Sequence, residues 1–416
     1  MEQNTAKVVP YGVSDFARVM TQNMYYVDKT MYLPLLEKQP SYLFFIRPRR
    51  FGKSIFLSML HSYYDCRQKD RFQTLFGNLW IGQHPTPLQG RYQVLHLDFS
   101  QVGGTIEKLE ENFDKYCRVK LDSFVDIYQE YYSDDFIKKT TSAETAVDKL
   151  ILINDESRKQ GYPLYLIIDE YDNFTNTVLN EQGESVYHAI THAEGFYRDI
   201  FKKFKGSFER IFITGVSPVT LDDVTSGYNI GWHISTKPEF NQMLGFSEED
   251  VREMFTYYKE VGEIPSDSDI ETIIGDMKPW YDNYCFSEDA LKTQSRVFNC
   301  DMVLYYLRNY MSTGKNTRMM VAPNIKVNLK GLFPHDKHDT FRKDAIRKVL
   351  QTGELPTALY EQYSIYDLQE PDLLPSLLFY KGVLTIKDTM GMLAILGFPN
   401  ECIRQLYVNE LLELLK

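Results

Sequence analysis

Residues 42 to 65 read YLFFIRPRRFGKSIFLSMLHSYYD, and no other stretch constrains the fold as tightly. An apolar run, Leu43 to Ile46, stops at Arg47-Pro48-Arg49-Arg50-Phe51-Gly52; Lys53-Ser54 follows, with apolar residues at Ile55, Phe56, Met59, Leu60 and Tyr63. A short continuous apolar run is the pattern of a strand buried on both faces, as in a parallel sheet. The later spacing is one face of a helix. Strand, glycine-bearing basic loop and helix together commit this part of the chain to an α/β sheet.

The loop fits G-x-x-x-x-G-K-[ST] at Gly52, Lys53 and Ser54, with Arg47 in place of the first glycine. In such a loop backbone N–H groups wrap phosphates, the lysine reaches the β- and γ-phosphates, and the hydroxyl ligates Mg²⁺. The dipole of the following helix adds to the attraction. Arg49, Arg50, Phe51, Gly52, Lys53, Ser54 and Ile55 are therefore the expected phosphate contacts, and Ser54 an expected metal ligand. The tripeptide alone is weak, since G-K-[ST] arises roughly 0.2 times by chance in a chain of this length. Gly314-Lys315-Asn316 is a near miss without the hydroxyl.

Context supplies what the tripeptide lacks. GYPLYLIIDEYDNF, residues 161 to 174, opens on a breaker and runs Leu164 to Ile168 as a second buried strand ending in Asp169-Glu170. A parallel strand delivers its C-terminal residues to the ligand crevice of an α/β sheet. Asp169 is expected to hold Mg²⁺ through water, and Glu170 to orient and deprotonate an attacking water. A helix from Ala146 to about Arg158, with Val147, Leu150 and Ile151 on its apolar face, supplies the crossover. Arg210 to Gly215 reads as a third strand whose Thr214 stands where a residue sensing the γ-phosphate would; YQVLHLDFS adds a fourth, ending in Asp98 and Ser100. Asp172 either orders the loop or faces water. The competing reading, a basic surface turn without a ligand, leaves this constellation unexplained.

At 416 residues, the chain predicts two or three domains. No apolar run approaches the roughly 20 residues of a membrane span, and the first residues lack a signal-peptide stretch. Five scattered cysteines without a C-x-x-C pair predict free thiols in a reducing cytoplasm. A net charge of −11 argues against a surface coated by nucleic acid, while leaving room for a local basic groove.

The motifs YYVDKT (25–30), FIRPRRFGKSIFLSML (45–60), LIIDEYDNF (166–174), FITGVSPV (212–219), GFSEEDV (245–251), WYDNYCFS (280–287) and FYKGVLTI (379–386) give the chain a resemblance that covers nearly its whole length. It resembles the bacterial AAA-ATPase-like family, whose chains usually continue into a PD-(D/E)XK nuclease-like domain. The R-P-R-R-F-G-K-S loop is specific to that family, so Arg47 is family style. The resemblance implies a P-loop NTPase of the ASCE/AAA-like kind, with ATP and Mg²⁺, followed by a helical lid. It also implies a role coupling ATP state to a nucleic-acid-processing or defence-type partner domain. Two departures stand out. Asn283 and Cys285 replace an expected glycine and basic residue in WYDNYCFS, and no P-D…E-x-K arrangement accompanies Pro371-Asp372. A form lacking the nuclease is expected, with that activity on a partner or fused domain.

From Gly245 the pattern turns helical: Ser247 caps a helix with Glu248, Glu249 and Asp250 in its first turn and Val251, Met254, Phe255 and Tyr258 inward. Residues 326 to 348 are basic, through Lys326, Lys330, Lys337, Arg342, Lys343, Arg347 and Lys348. They form either a solvated face or a nucleic-acid backbone contact. The end reads as helix, hairpin, helix: Val383 to Ile386 and Met392 to Leu396 around an Asp388–Gly391 turn, then a helix capped by Asn400 with Ile403, Leu406, Tyr407 and Leu411 inward. This resembles a winged-helix-type module, serving either packing between domains, which its nearly cancelling charges favour, or duplex reading. His188 and His192 are spaced for a shared metal but lack a third ligand, and Arg198 and Arg210 are the best remaining arginines for γ-phosphate charge.

The expected organisation is an ATPase core over residues 1–240, a lid over 241–325 and a winged-helix-like module over 326–416. The expected activity is hydrolysis of ATP to ADP and phosphate, with Lys53, Glu170 and Thr214 as catalytic residues. Two rivals stand beside it: an ATP-gated switch with negligible turnover, and a nucleic-acid-binding module with a degenerate site. Assembly into an oligomer is compatible with each.

Overall fold

The computed structural model describes residues 6–102, 108–173, 196–218, 231–293, 295–315, 339–361 and 371–415. Five strands form one sheet: β1 (Tyr42–Ile46), β2 (Gln93–Asp98), β3 (Leu164–Asp169), β4 (Arg210–Gly215) and β5 (Trp232–His233). Their order is β2-β3-β4-β1-β5, and every neighbouring pair is parallel. The continuous apolar runs follow from this arrangement, since helices cover both faces of a parallel sheet. Phe45, Leu166, Ile167, Phe212 and their neighbours are buried. Parallel register brings the strand ends to one rim, with Ile46 opposite Gly215 and Asp98 opposite Asp169. β4 separates β1 from β3, leaving a crevice above it.

The helix Lys53–Tyr64 leaves the rim and runs back under β2 and β3. Phe56, Leu57, Met59, Leu60, Tyr63 and Tyr64 are buried along it. Tyr64 lies 5.0 Å from Tyr165 between ring centroids, one contact in an aromatic cluster with Tyr63 and Tyr92. The crossover helix spans Ala146–Lys159, capped by Thr145. Its buried face is Ala146, Leu150, Ile153, Asn154 and Ser157, whereas Ile151 is 49% exposed. The buried face is thus rotated from the expected one; helix Leu109–Ile127 packs against this helix, with its Asp114 accepting from the Ala146 N–H and its Asp122 from Lys149 Nζ.

Beyond the sheet, Glu248–Glu260 begins with a complete capping box between Ser247 and Asp250 and buries Val251, Met254, Phe255 and Tyr258. Helices Ile270–Tyr281 and Cys300–Thr313 follow. The C-terminal part holds helices Asp339–Thr352, Leu374–Tyr380 and Glu401–Leu414 around an antiparallel sheet of order β6-β8-β7. Its strands are β6 (Leu355–Thr357), β7 (Thr385–Met390) and β8 (Leu393–Gly397). The hairpin strands reach further than expected, so the turn contracts to Gly391-Met392. β6 was not anticipated because Pro356 interrupts it; it lies at the sheet edge, where a missing N–H is tolerated. The last helix is capped by Asn400, which accepts from the Ile403 N–H at 3.0 Å. Among the described residues no helix is long and apolar enough to cross a membrane, and the five cysteines are free.

Candidate functional site

The loop closes on the helix Lys53–Tyr64 through two left-handed residues, Arg50 at φ +70° and Gly52 at φ +88°. Gly52 is the N-cap residue, a conformation that glycine takes without steric cost. Two loop carbonyls are satisfied by segments far away in the chain. Arg49 O accepts from Asn299 Nδ2 at 3.2 Å, and Phe51 O from the Gly245 N–H at 3.1 Å. In contrast, the N–H groups of Gly52, Lys53, Ser54 and Ile55 donate to no protein acceptor among the described residues. A helix start with free donors and a positive dipole end is an anion cradle.

Lys53 is buried, and its Nζ donates to the carbonyls of Arg47 and Pro48, each at 2.9 Å. Burial pushes its pKa down to about 8, while Asp169, Glu170 and Asp172 pull upward. Ser54 Oγ donates to Asp169 Oδ2 at 2.9 Å, joining the loop to the end of β3. Burial raises the Asp169 carboxyl, opposed first by Lys53 and then by the Ser54 hydroxyl. Glu170, at φ +50°, is raised by burial and opposed by Lys53. Asp172 is fully buried, and its Oδ1 accepts from the Val216 N–H at 3.1 Å. It therefore ties β3 to the end of β4.

Arg47 points away from the cradle. Its Nη1 donates to Ile46 O (3.0 Å) and Ser235 O (2.7 Å), and its Nη2 to Phe240 O (3.0 Å). The guanidinium lies between the rings of Phe45 and Phe286, at 4.3 and 4.2 Å from their centroids. The residue that replaces the first glycine is thus an internal bolt fastening the loop base to residues 235–240.

The structure places the two β4 candidates differently. Thr214 ends β4 between β1 and β3, but its hydroxyl donates to Phe45 O at 2.7 Å, clamping two strands. In this arrangement the hydroxyl proton lies on the β1 carbonyl. Arg210 stands at the opposite end of β4 and donates to Glu37 O, so it belongs to the far edge of the sheet. The side chain of Arg198, together with His188, His192 and residues 326–338, lies outside the described residues. The described part of the basic segment exposes Arg347 and Lys348, and Arg347 pairs with Asp344 at 2.9 Å. Among the described residues no three potential ligands cluster as a metal site.

A cavity of about 560 Å³ opens beside the loop, within the range typical of small-molecule sites. Arg49 to Phe56 form one wall; Gly12, Val13, Tyr26, Leu244, Phe246 and Leu304 are on others. Lys29 of YYVDKT reaches Asp250 at 2.6 Å and fastens the N-terminal segment to the capping box. These walls escaped sequence reasoning, although YYVDKT and GFSEEDV stand out as motifs. Lys381 was missed too. It is buried, with Asp172, Arg49 and Glu170 as its charged neighbours. A lone lysine in an apolar run was its signal. WYDNYCFS lies beneath the loop: Phe51 stacks edge-on against Tyr284 (4.8 Å), and Asn283 adopts φ +80°, the left-handed place of the expected glycine. Asparagine tolerates that conformation better than most residues.

A family model described as predicted AAA-ATPase matches residues 10–225. An uncharacterized protein in the vnfD 5′ region of Azotobacter chroococcum mcd 1 is 24% identical over 299 residues, 68% of this chain and 50% of that protein. The chain therefore spans about half the length of the curated relative it matches. Among solved structures, the Aeropyrum pernix ORC2 protein in its ADPNP–ADP complexes aligns over 96% of both chains at 12% identity, with a TM-score of 0.42. The Aeropyrum pernix ORC1 protein in complex with DNA aligns over 97% of this chain and 94% of that one, at 11% identity and a TM-score of 0.32.

Proposed function

The chain belongs to the family of predicted AAA-ATPases, and from that premise we propose that it binds Mg·ATP on the 47–55 loop and hydrolyses it to ADP and phosphate. The observation that carries the reading is the Ser54 Oγ–Asp169 Oδ2 hydrogen bond of 2.9 Å. It joins a phosphate-loop hydroxyl to a strand-end carboxylate 115 residues away, the two halves of a metal–phosphate site. A hydroxyl and a carboxylate are hard oxygen donors suited to Mg²⁺, which takes few protein ligands and keeps phosphate oxygens and water. Ser54 would hold the ion directly and Asp169 through water, and the ion supplies charge neutralisation on the phosphates.

The protein's own groups divide the remaining work. Free N–H groups from Gly52 to Ile55 receive phosphate oxygens, with Arg49, Arg50 and Phe51 completing the loop. Lys53, freed from the Arg47 and Pro48 carbonyls, donates charge-assisted hydrogen bonds to the β- and γ-phosphates. Glu170 holds the attacking water and takes its proton. Catalysis here is positioning and charge neutralisation, as in phosphoryl transfer generally. Thr214 serves as a strand clamp behind the γ-phosphate position.

Three further assignments belong to the same proposal. Residues 1–240, 241–325 and 326–416 act as core, lid and winged-helix-like module, supported by the β6-β8-β7 sheet flanked by helices. The protein works in a reducing cytoplasm, supported by its free thiols. It transmits ATP state to a partner domain acting on nucleic acid, a role resting on family resemblance.

The test is nucleotide affinity and phosphate release on the parent, Lys53→Ala and Glu170→Gln. Hydrogen bonds to charged groups are worth about 1.5–3 kcal/mol, so Lys53→Ala should lose about ten- to a hundredfold in affinity. Glu170→Gln should bind as the parent does while turnover drops by about 10²–10⁴. Parental turnover in Glu170→Gln removes it as the base; a parent that binds ATP without turnover makes the chain a switch.

A further inference from the structure

We infer that Lys381 is a second cationic contact for the terminal phosphate of a bound nucleoside triphosphate, carried into the site by the C-terminal part of the chain. The inference rests on the nucleotide reading of the loop. Lys381 ends the helix Leu374–Tyr380, its N–H donating to Leu377 O at 3.0 Å. The next residue, Gly382, lies against the loop at φ +78°, so close that a Cβ there would sit 2.7 Å from Pro48 Cβ. The position of Lys381 relative to the loop is therefore set by backbone contact.

Its side chain is 9% exposed, and its ammonium makes no hydrogen bond among the described residues. The other two buried lysines are satisfied: Lys53 by the Arg47 and Pro48 carbonyls, Lys149 by Asp122 and the carbonyls of Thr140 and Thr141. A largely buried side chain keeps its ammonium from full hydration while no protein acceptor replaces the lost water, and a ligand oxygen fills that role. Asp172, Arg49 and Glu170 are its charged neighbours, which puts it beside the proposed base and the loop. Asp172 is engaged by the Val216 N–H, and Glu170 is the group assigned to the attacking water. The anion still missing from this arrangement is the one that the loop is built to receive.

Such a contact couples nucleotide state to the C-terminal sheet. Three residues after Gly382, Thr385 Oγ1 accepts from the Cys285 N–H at 2.7 Å and donates to Cys285 O at 2.9 Å. Tyr284, beside Cys285, meets Phe51 of the loop edge to face. A triphosphate held by Lys53 and Lys381 bridges the loop and β7; a diphosphate does not.

The experiment compares a non-hydrolysable ATP analogue with ADP, both with Mg²⁺, on the full chain and its Lys381→Met and Lys381→Arg variants. Loss of one charge-assisted contact predicts that Lys381→Met weakens the analogue about ten- to a hundredfold while ADP changes by less than about twofold. Lys381→Arg should recover most of the loss. In the parent the analogue should slow amide exchange over Thr385–Met390 more than ADP does, and Lys381→Met should abolish the difference. Equal weakening of both nucleotides would make Lys381 a packing or charge-balancing residue, and unchanged affinities would remove it from the site; either result overturns the inference alone. A parent that binds neither nucleotide overturns the nucleotide reading and this inference with it.

Discussion

Restoring the missing glycine of the loop should damage the protein. Arg47→Gly would convert R-P-R-R-F-G-K-S to the ordinary form, and a reading from the motif alone expects improvement or no change. The geometry gives the opposite sign. The guanidinium makes three hydrogen bonds, to Ile46, Ser235 and Phe240 carbonyls at 2.7–3.0 Å, inside a site where all three residues are buried. Hydrogen bonds from a charged donor are worth about 1.5–3 kcal/mol each, and a desolvated cation over an aromatic ring about 2 kcal/mol. Against this stands a desolvation cost of several kcal/mol for the buried cation, whose pKa burial pulls down to about 9. The net loss expected on truncation is about 2–6 kcal/mol, about 1–3 kcal/mol for each of the Ile46 and Ser235 carbonyls that lose this donor, while the Phe240 carbonyl keeps the Met243 N–H at 3.2 Å. Denaturant unfolding followed by intrinsic fluorescence measures it. Arg47→Lys, a point donor without the planar fork, should fall between parent and glycine variant. An Arg47→Gly protein as stable as the parent, with nucleotide affinity unchanged or improved, would refute the bolt and return the position to the cradle.

Lys53 gives ATP affinity a defined pH dependence. Its pKa is about 8 in the empty site and rises when phosphate arrives, so binding takes up a proton above pH 8 and affinity should fall by up to tenfold per unit between about pH 8 and 10. Calorimetry in buffers of different ionisation enthalpy reads that uptake; a flat affinity from pH 7 to 9.5 contradicts it. On the acid side, burial raises both Asp169 and Glu170, so turnover should decline as they protonate, at a higher pH than for exposed carboxylates. At Asn283, φ +80° makes Asn283→Gly neutral within about 0.5 kcal/mol, whereas Asn283→Val should cost about 1–2 kcal/mol in denaturant unfolding.

Local features of the chain were legible where a short pattern has one physical solution. Leu43–Ile46 and Leu164–Ile168 read as buried strands because a continuous apolar run of that length between breakers suits a parallel sheet. Ser247 and Asp250 read as a cap because the partners of a helix start lie three residues apart. Arg210 and Ile151 show the limit. Sequence places Arg210 on a strand and Ile151 on a helix, but which strand end meets the ligand and which helix face meets a neighbour depend on segments far away in the chain. The rim of the sheet that carries the candidate site could be read from Lys53 and Asp169, because the loop before Lys53 leaves the end of β1 and Asp169 is the last residue of β3.

Arg47 and Lys381 mark a different boundary. Each position was visible as an anomaly, a cation where glycine or an apolar residue belonged, yet the two anomalies have opposite resolutions. Arg47 is one residue past β1, near the phosphates in sequence, and its side chain turns away because three carbonyls and two rings are arranged behind it. Lys381 is remote in sequence and is brought beside Glu170 because Gly382 lets the C-terminal backbone press onto Pro48. Proximity in sequence is therefore no guide to which cation faces the site, and the acceptors arranged around each separate them. The two terminal nitrogens of Arg47 have acceptors, although its buried Nε has none; the Lys381 ammonium has no acceptor among the described residues, which is the condition a ligand satisfies.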